Sequence, residues 1–345
     1  MIDFGYAHRT LAGQRFALRS AGVNLGLATS AVLLVVLAMG LGEFPVTPAE
    51  VVTVATGGGD EFTRLVVVEW RLPIALAALV LGALLGLGGA IFQSLTRNPL
   101  GSPDIIGFDA GAHTAVLVAM LVFRIRDHWG IAAVSILGDL VAALLVHALA
   151  FRRGLLGFRL IIVGIALSAM LGSVNSHLIT RADVSDAMAV GFWAAGTLSR
   201  SSWVTITPVI ILAVLLTGAV ALLAPSLRQQ ELGDDAAVAH GVRLTRDRFL
   251  LIVLGVATTA VVTAAAGPIG FIALAAPQMA RRLARTPSVA LSASACTGAA
   301  LLSLAHCCSV ALGMIGRAIP VGLVTVCLGG CYFIVLLVQQ TRRGL

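Results

Sequence analysis

The 345 residues are 59% apolar and only 11% charged, with 23 basic against 16 acidic side chains and a formal charge of +7. Soluble domains are about a quarter charged, so this composition excludes an ordinary globular enzyme. The basic excess is all arginine, set in short clusters between apolar runs, which is a membrane-topology signal and not a nucleic-acid surface.

Apolar runs of about 20 residues suit bilayer-spanning helices. The alternating segments of about ten residues that a membrane barrel requires are not found in this sequence. The fold class is therefore all-α, a polytopic membrane protein. Arg9, Arg15 and Arg19 precede an apolar run from Ala21 to Leu41. That run exceeds the roughly 7–15-residue core of a cleaved signal peptide and reads as a first span entering from the cytoplasm. A polar interval, 43–70, follows, with Pro45, Pro48 and a Gly57-Gly58-Gly59 turn. Further helices are predicted near 73–93, 105–123, 129–150, 160–179, 204–223, 249–266, 268–284, 288–312 and 318–339, about ten spans in a single transmembrane domain over 1–345. Those at 105–123 and 268–284 are interrupted by Gly or Pro and are expected to be short or tilted. The interval 181–202 adds an amphipathic signal over Ala187–Leu198, in which Trp193 reads as an interfacial anchor or part of a gate.

With both termini inside, sixteen of the 23 arginines fall on cytoplasmic segments, as the positive-inside rule requires. The same topology puts 224–248, APSLRQQELGDDAAVAHGVRLTRDR, in the cytoplasm. This is the longest polar interval of the chain. Glu231, Asp234 and Asp235 lie beside Arg228, Arg243, Arg246 and Arg248, and Gly233 and Gly241 punctuate it, so one or two short helices across the end of the bundle are expected.

Polar residues inside spans are few. Asp139, His147, Asn175, His177 and His306 each suit a hydrogen bond to a neighbouring helix. No His, Asp or Glu cluster has the spacing of a metal site, and no catalytic constellation is present. Cys296, Cys307, Cys308, Cys327 and Cys331 lie in apolar segments without a CxxC pattern and read as small packing residues. A GxxxxGK[ST] loop to cradle phosphates is absent from the sequence, so any nucleotide chemistry belongs to another chain.

One stretch is far more specific than composition. Arg71–Ala112 runs RLPIALAALVLGALLGLGGAIFQSLTRNPLGSPDIIGFDAGA, with glycines at helical spacing and then a Pro- and Gly-rich turn. With AAAGPIGFIALAAPQMARRLAR at 264–285, IPVGLVTVCLGGCYFIVLL at 319–337 and LGDDAAVAHGV in the polar interval, it resembles the FecCD family of ABC importer permeases, the iron-siderophore and vitamin B12 class. The resemblance covers nearly the whole chain in the same motif order. Within the family, FRLIIVGI at 158–165, LGSPDIIGF and the LGDD loop look most like the ferric-enterobactin permease subunits.

The resemblance implies a type II ABC importer permease fold, in which two such subunits surround a path. It implies an ATPase dimer that binds ATP and Mg and docks on 224–248, with Leu232, Gly233, Asp234, Asp235, Ala239 and Gly241 as the coupling residues. It implies an extracytoplasmic siderophore-binding protein that docks on Arg71 and Arg317, and a ferric siderophore of catecholate type as cargo, moved across the bacterial inner membrane. Asn175 and His177, on the fifth helix, are implied contacts of the path. Vitamin B12 or haem is the alternative cargo on the same fold, and an ion-coupled secondary transporter is the alternative of another class. Two positions depart from the family pattern. Ile74 stands where a second docking arginine is usual, and Gln278 replaces a histidine and so removes a titratable group. Both departures favour pairing with a second, non-identical FecCD-type permease over a homodimer.

Overall fold

A computed structural model of the chain describes residues 8–11, 14–42, 44–150, 156–286, 288–316 and 319–343. A short antiparallel hairpin, β1 (His8–Leu11) and β2 (Gln14–Ala17), precedes the helices and is the one addition to the all-α expectation among the described residues. The helices are α1 (Leu18–Gly40), α2 (Pro48–Ala55), α3 (Glu61–Arg64), α4 (Leu72–Thr96), α5 (Pro103–Ile106), α6 (Phe108–Leu121), α7 (His128–Ala150) and α8 (Leu156–Thr180). They continue as α9 (Val184–Ala194), α10 (Trp203–Glu231), α11 (Asp234–Ala239), α12 (Leu244–Ala266), α13 (Ile272–Ala284), α14 (Leu291–Met314) and α15 (Val321–Arg343).

Among the described residues seven stretches are long and apolar enough to cross a membrane: α1, Glu61–Thr96, α7, Phe158–Thr180, α10, α12 and α14. The stretch Glu61–Thr96 runs from α3 through a π-helical turn, Leu65–Arg71, into α4. The expected count of ten spans is not reached by length, because α6 and the apolar Val321–Ile334 of α15 are shorter and α13 has only 13 residues. Short or tilted pieces were expected at α6 and α13, and both are short, at 14 and 13 residues, after the Gly and Pro residues that precede them.

The centre of the bundle is α4, which packs against α14, α12, α13, α10 and α1. Its Gly and Ala residues make this possible. A Cβ on Gly82 would lie 2.5 Å from the Gly298 carbonyl oxygen, and one on Gly86 or Gly89 would overlap the Ser294 or Ala273 carbonyl oxygen. The glycine spacing therefore brings backbones of α14 and α13 into direct contact with α4, the usual source of helix association where lipid offers no hydrophobic drive. Around this contact Leu81, Leu84, Ile91 and Phe92 are fully buried.

The turn after α4 reaches back into the bundle. Arg97, in the left-handed conformation, ends α4, and the Pro- and Gly-rich stretch leads to α5. There an Asp104 carboxylate oxygen accepts the Phe271 backbone N–H at 2.9 Å, so this motif supplies the cap at the start of α13. Two signature segments that are far apart in sequence thus meet.

Candidate functional site

The bundle has a basic end, at α11, and an opposite end, at the turns 44–47, 122–127, 195–202 and 315–316. At the basic end α10 does not stop at Pro225 but continues to Glu231, and α12 begins at Leu244. The predicted interval 224–248 is thus two helix ends joined by residues 232–243 and one short helix, α11. The helix persists past Pro225 because its last turns are held by α12. The Ser226 hydroxyl donates to Asp247 at 2.7 Å, and Arg248 Nε donates to Gln230 Oε1 at 3.4 Å.

Gly233 and Gly241 bracket α11 at φ of 117° and 82°, a backbone region that side chains disfavour. Asp234 is half exposed but held by two arginines. Its Oδ1 accepts Arg97 at 2.7 Å and Arg248 at 2.9 Å. Burial alone would raise the Asp234 carboxyl, but the Arg248 hydrogen bond and charge, with Arg97 behind them, hold it below the ordinary carboxylate value. Arg97 also donates to the Gln230 carbonyl at 2.9 Å. Leu232, Asp235, Val238, Ala239 and Gly241 form the exposed rim, with Leu232 67% and Val238 57% accessible. Two apolar side chains so exposed on a polar turn suit a protein contact.

Glu231 was noticed in sequence only as part of the charge cluster, and its role is larger. It accepts the Ser94 hydroxyl at 3.2 Å, the Ser288 hydroxyl at 2.7 Å and the Val289 backbone N–H at 3.0 Å. One carboxylate therefore joins the end of α10 to the last turns of α4 and to the segment entering α14. The signal that could have found it is an acid at the end of an apolar helix, but its partners lie 57 and 137 residues away.

At the opposite end Arg71 closes the π-helical turn. Its two terminal nitrogens donate to the Met39 carbonyl at 2.6 Å and the Phe44 carbonyl at 2.5 Å, so they cap the end of α1 and tie it to Phe44. Arg317 lies outside the described residues. Ile74 is half-buried against the central cluster, where an arginine would be desolvated. Trp193 is 5% exposed and lies tilted against His113 with ring centroids 6.1 Å apart, so it is a packed residue and not an interfacial anchor. The α9 helix that carries it starts and ends a few residues before the predicted limits.

The two residues assigned to the path point apart. Asn175 is buried and His177 exposed, two positions along α8 and hence on opposing faces. Gln278 is tied inward, donating to Gln93 Oε1 at 2.6 Å, while Gln93 Nε2 donates to the Leu274 carbonyl at 2.9 Å. Both amides thus join α4 to α13. Asp139 is fully buried, His147 sits edge-on to Phe249 at 5.8 Å, and the five cysteines are free, with Cys307 Sγ 3.0 Å from the Leu34 carbonyl. No group of three or more metal-ligating side chains occurs among the described residues.

Residues 30–339 match the FecCD transport family. The chain belongs to this family. It is 45% identical over 302 residues to the ferric enterobactin transport system permease protein FepG of Escherichia coli (strain K12), covering 88% of this chain and 91% of that one. It is 37% identical over 241 residues to the permease protein FepD of the same system and strain, covering 68% and 71%. A solved structure of an inward-facing, metal-chelate type ABC transporter superposes with a TM-score of 0.78 at 27% identity, covering 92% of this chain and 99% of that chain. The FecCD chain described here is thus an integral membrane protein with an ABC-importer permease fold.

Proposed function

We propose that this FecCD protein is one permease subunit of an ATP-driven importer of ferric siderophores, of catecholate type, in the bacterial inner membrane. The observation that carries the reading is the 45% identity to FepG across 91% of that protein. The loop geometry supplies a mechanism that fits it. In this reading the ten helices predicted from sequence all traverse or enter the bilayer, and both termini and residues 232–243 are cytoplasmic. Partner ATPases, which bind and hydrolyse ATP, seat on the exposed rim of Leu232, Asp235, Val238, Ala239 and Gly241. Displacement of that rim pulls on Asp234 and Glu231. These pass it to Arg97 at the end of α4 and to Ser288 and Val289 before α14, the two helices whose backbones touch at the centre. Alternating access then needs no chemistry in this chain, only rigid transmission.

An extracytoplasmic binding protein delivers cargo to the opposite end. Arg71 serves there as a positioning residue that ties Phe44 to the end of α1 at the docking face, with Arg317 as the direct contact. Matches to both FepG and FepD, two permeases of one system, support a non-identical FecCD partner. Asn175 and His177 fit such an assembly with His177 toward the path or partner and Asn175 toward its own bundle.

The test is radio-iron uptake in a strain lacking only this gene, with iron presented as catecholate, hydroxamate and haem chelates and labelled cobalamin in parallel. Loss confined to catecholates, restored by the intact gene and not by a loop variant, is the expected result. Loss of cobalamin or haem uptake would retain the fold and replace the cargo. Normal uptake by variants at Gly233, Asp234 and Asp235 would point to an ion-coupled transporter.

A further inference from the structure

Two cavities share a wall at the end of the bundle opposite α11. The first, about 300 Å³, lies among Arg126, His128, Trp193, Thr197, Arg200 and the last turn of α12. The second, about 390 Å³, opens across Thr197 and Arg200 toward His306, Ser309 and Val321. Among the described residues no carboxylate lines either cavity. The acid beside them is already answered twice: Asp186 accepts Arg124 at 2.8 Å and Arg126 at 2.5 Å. Arg200 is exposed and makes no ion pair among the described residues. The shared wall is therefore cationic, with hydroxyls and an aromatic ring beside it. Its place in the fold is equally specific. Between the cavities the main chain is fastened twice, by the Thr197 N–H to the Ala266 carbonyl at 2.7 Å and the Gly322 N–H to the Gly196 carbonyl at 3.0 Å. Arg200 stands on that seam.

We propose that these cavities are the receiving site for an anionic, ring-bearing metal chelate, with Arg200 on the shared wall and Arg126 at the rim as its charge contacts. The inference deepens the importer reading and rests on it. Iron(III) held by three doubly deprotonated catechols is a trianion whose oxygens emerge in adjacent pairs at its surface. A guanidinium fork matches paired anionic oxygens, and its flat face lies well against an aromatic ring. Two positive side chains at the mouths of adjoining cavities raise the local concentration of an arriving anion. Arg126 is 62% exposed, so its contact is screened and weak, as a transit site requires if cargo is to leave again. A neutral chelate of the same size gains none of this.

The experiment uses the assembled importer, with wild-type partner chains, in phosphatidylcholine nanodiscs so that no anionic lipid competes. Trianionic ferric tris-catecholate and an uncharged ferric trihydroxamate are titrated without binding protein, followed by dialysis of radio-iron. Arg200→Ala is expected to weaken the trianion about tenfold or more, Arg200→Lys to recover most of it, and Arg126→Ala to weaken it by a smaller factor. Trihydroxamate binding stays unchanged in all three, and thermal melts confirm that each variant is folded. Equal binding of both chelates by the wild type overturns the proposal. So does an Arg200→Ala variant that binds the trianion normally. If the wild type transports some other chelate and no catecholate, the cargo reading fails, while the binding comparison still decides this site by itself.

Discussion

Arg97 and Asp234 lie 2.7 Å apart, although one terminates the most buried helix of the bundle and the other begins the short helix of the polar loop. The pair is half exposed, at 50% and 45%, so in stability it is worth only about 0.2–1 kcal/mol. Its value is in geometry. Asp234→Asn is expected to leave expression and ATPase docking intact and to lower cargo uptake severalfold with ATP hydrolysis continuing. Parallel uptake and hydrolysis assays on reconstituted importer check this. A variant that loses both activities together would mean that Asp234 meets the ATPase directly.

The same carboxylate sets a pH dependence. Its acidity is increased in the folded loop, so the fastening is fully present above the ordinary carboxylate pKa, about 3.9, and is lost as pH falls through the lower folded value. Proteolytic nicking of residues 232–243 should be constant from neutral pH down to about that value and rise only below it. A rise already at mildly acidic pH would show that another group holds the loop.

Glu231 should matter more to stability than Asp234, since it satisfies a backbone N–H at a buried residue as well as two hydroxyls. Glu231→Ala leaves that donor unpaired, at a cost of about 1–3 kcal/mol. Glu231→Gln keeps one acceptor and costs less. Melting curves of the solubilised subunit distinguish the two, and equal midpoints would remove Glu231 from the load path between α10 and α14.

The α4 contact with α14 and α13 predicts intolerance to one methyl group. Gly86→Ala and Gly89→Ala each drive a Cβ into a carbonyl oxygen and should destabilise by about 1–3 kcal/mol, whereas Gly172→Ala, which meets nothing within 4 Å, should not. Thermal midpoints in one detergent make the comparison.

Arg71→Ala frees two carbonyls at the end of α1 and should lower the melting temperature, and Arg71→Lys should recover only part of it, because an ammonium does not fork. The Kd of the binding protein should change little. A large change in Kd with unaltered melting would return Arg71 to direct docking.

Much of this was legible in the chain because lipid simplifies the code. Apolar length marks spans and glycines at helical spacing mark close contacts, so α1, α4, α7 and α14 fall near their predicted bounds, while α10 and α12 run farther into the polar interval. What was not legible has one physical cause: direction. Asp234 and Asp235 are adjacent and chemically alike, yet one is clasped by two arginines and the other is exposed. Asn175 and His177 separate in the same way. Arg71 has a second task that the sequence did not show, because the carbonyls it caps belong to a helix end and to Phe44, which sequence spacing does not bring near. The Glu231 partners were beyond local reasoning for the same reason.

The seam that joins Gly196, Ala266 and Gly322 is made of peptide groups, and a Cβ on Gly196 or Gly322 would collide with the Pro268 or Ala195 carbonyl oxygen. A fastening written in main chain needs those two glycines and is indifferent to the other side chains around it. The walls beside it can therefore exchange arginine, threonine or histidine to suit a differently charged passenger while the latch stays as it is. Cargo choice and backbone fastening are thus separately inheritable: a new chelate asks for new wall residues and no new seam.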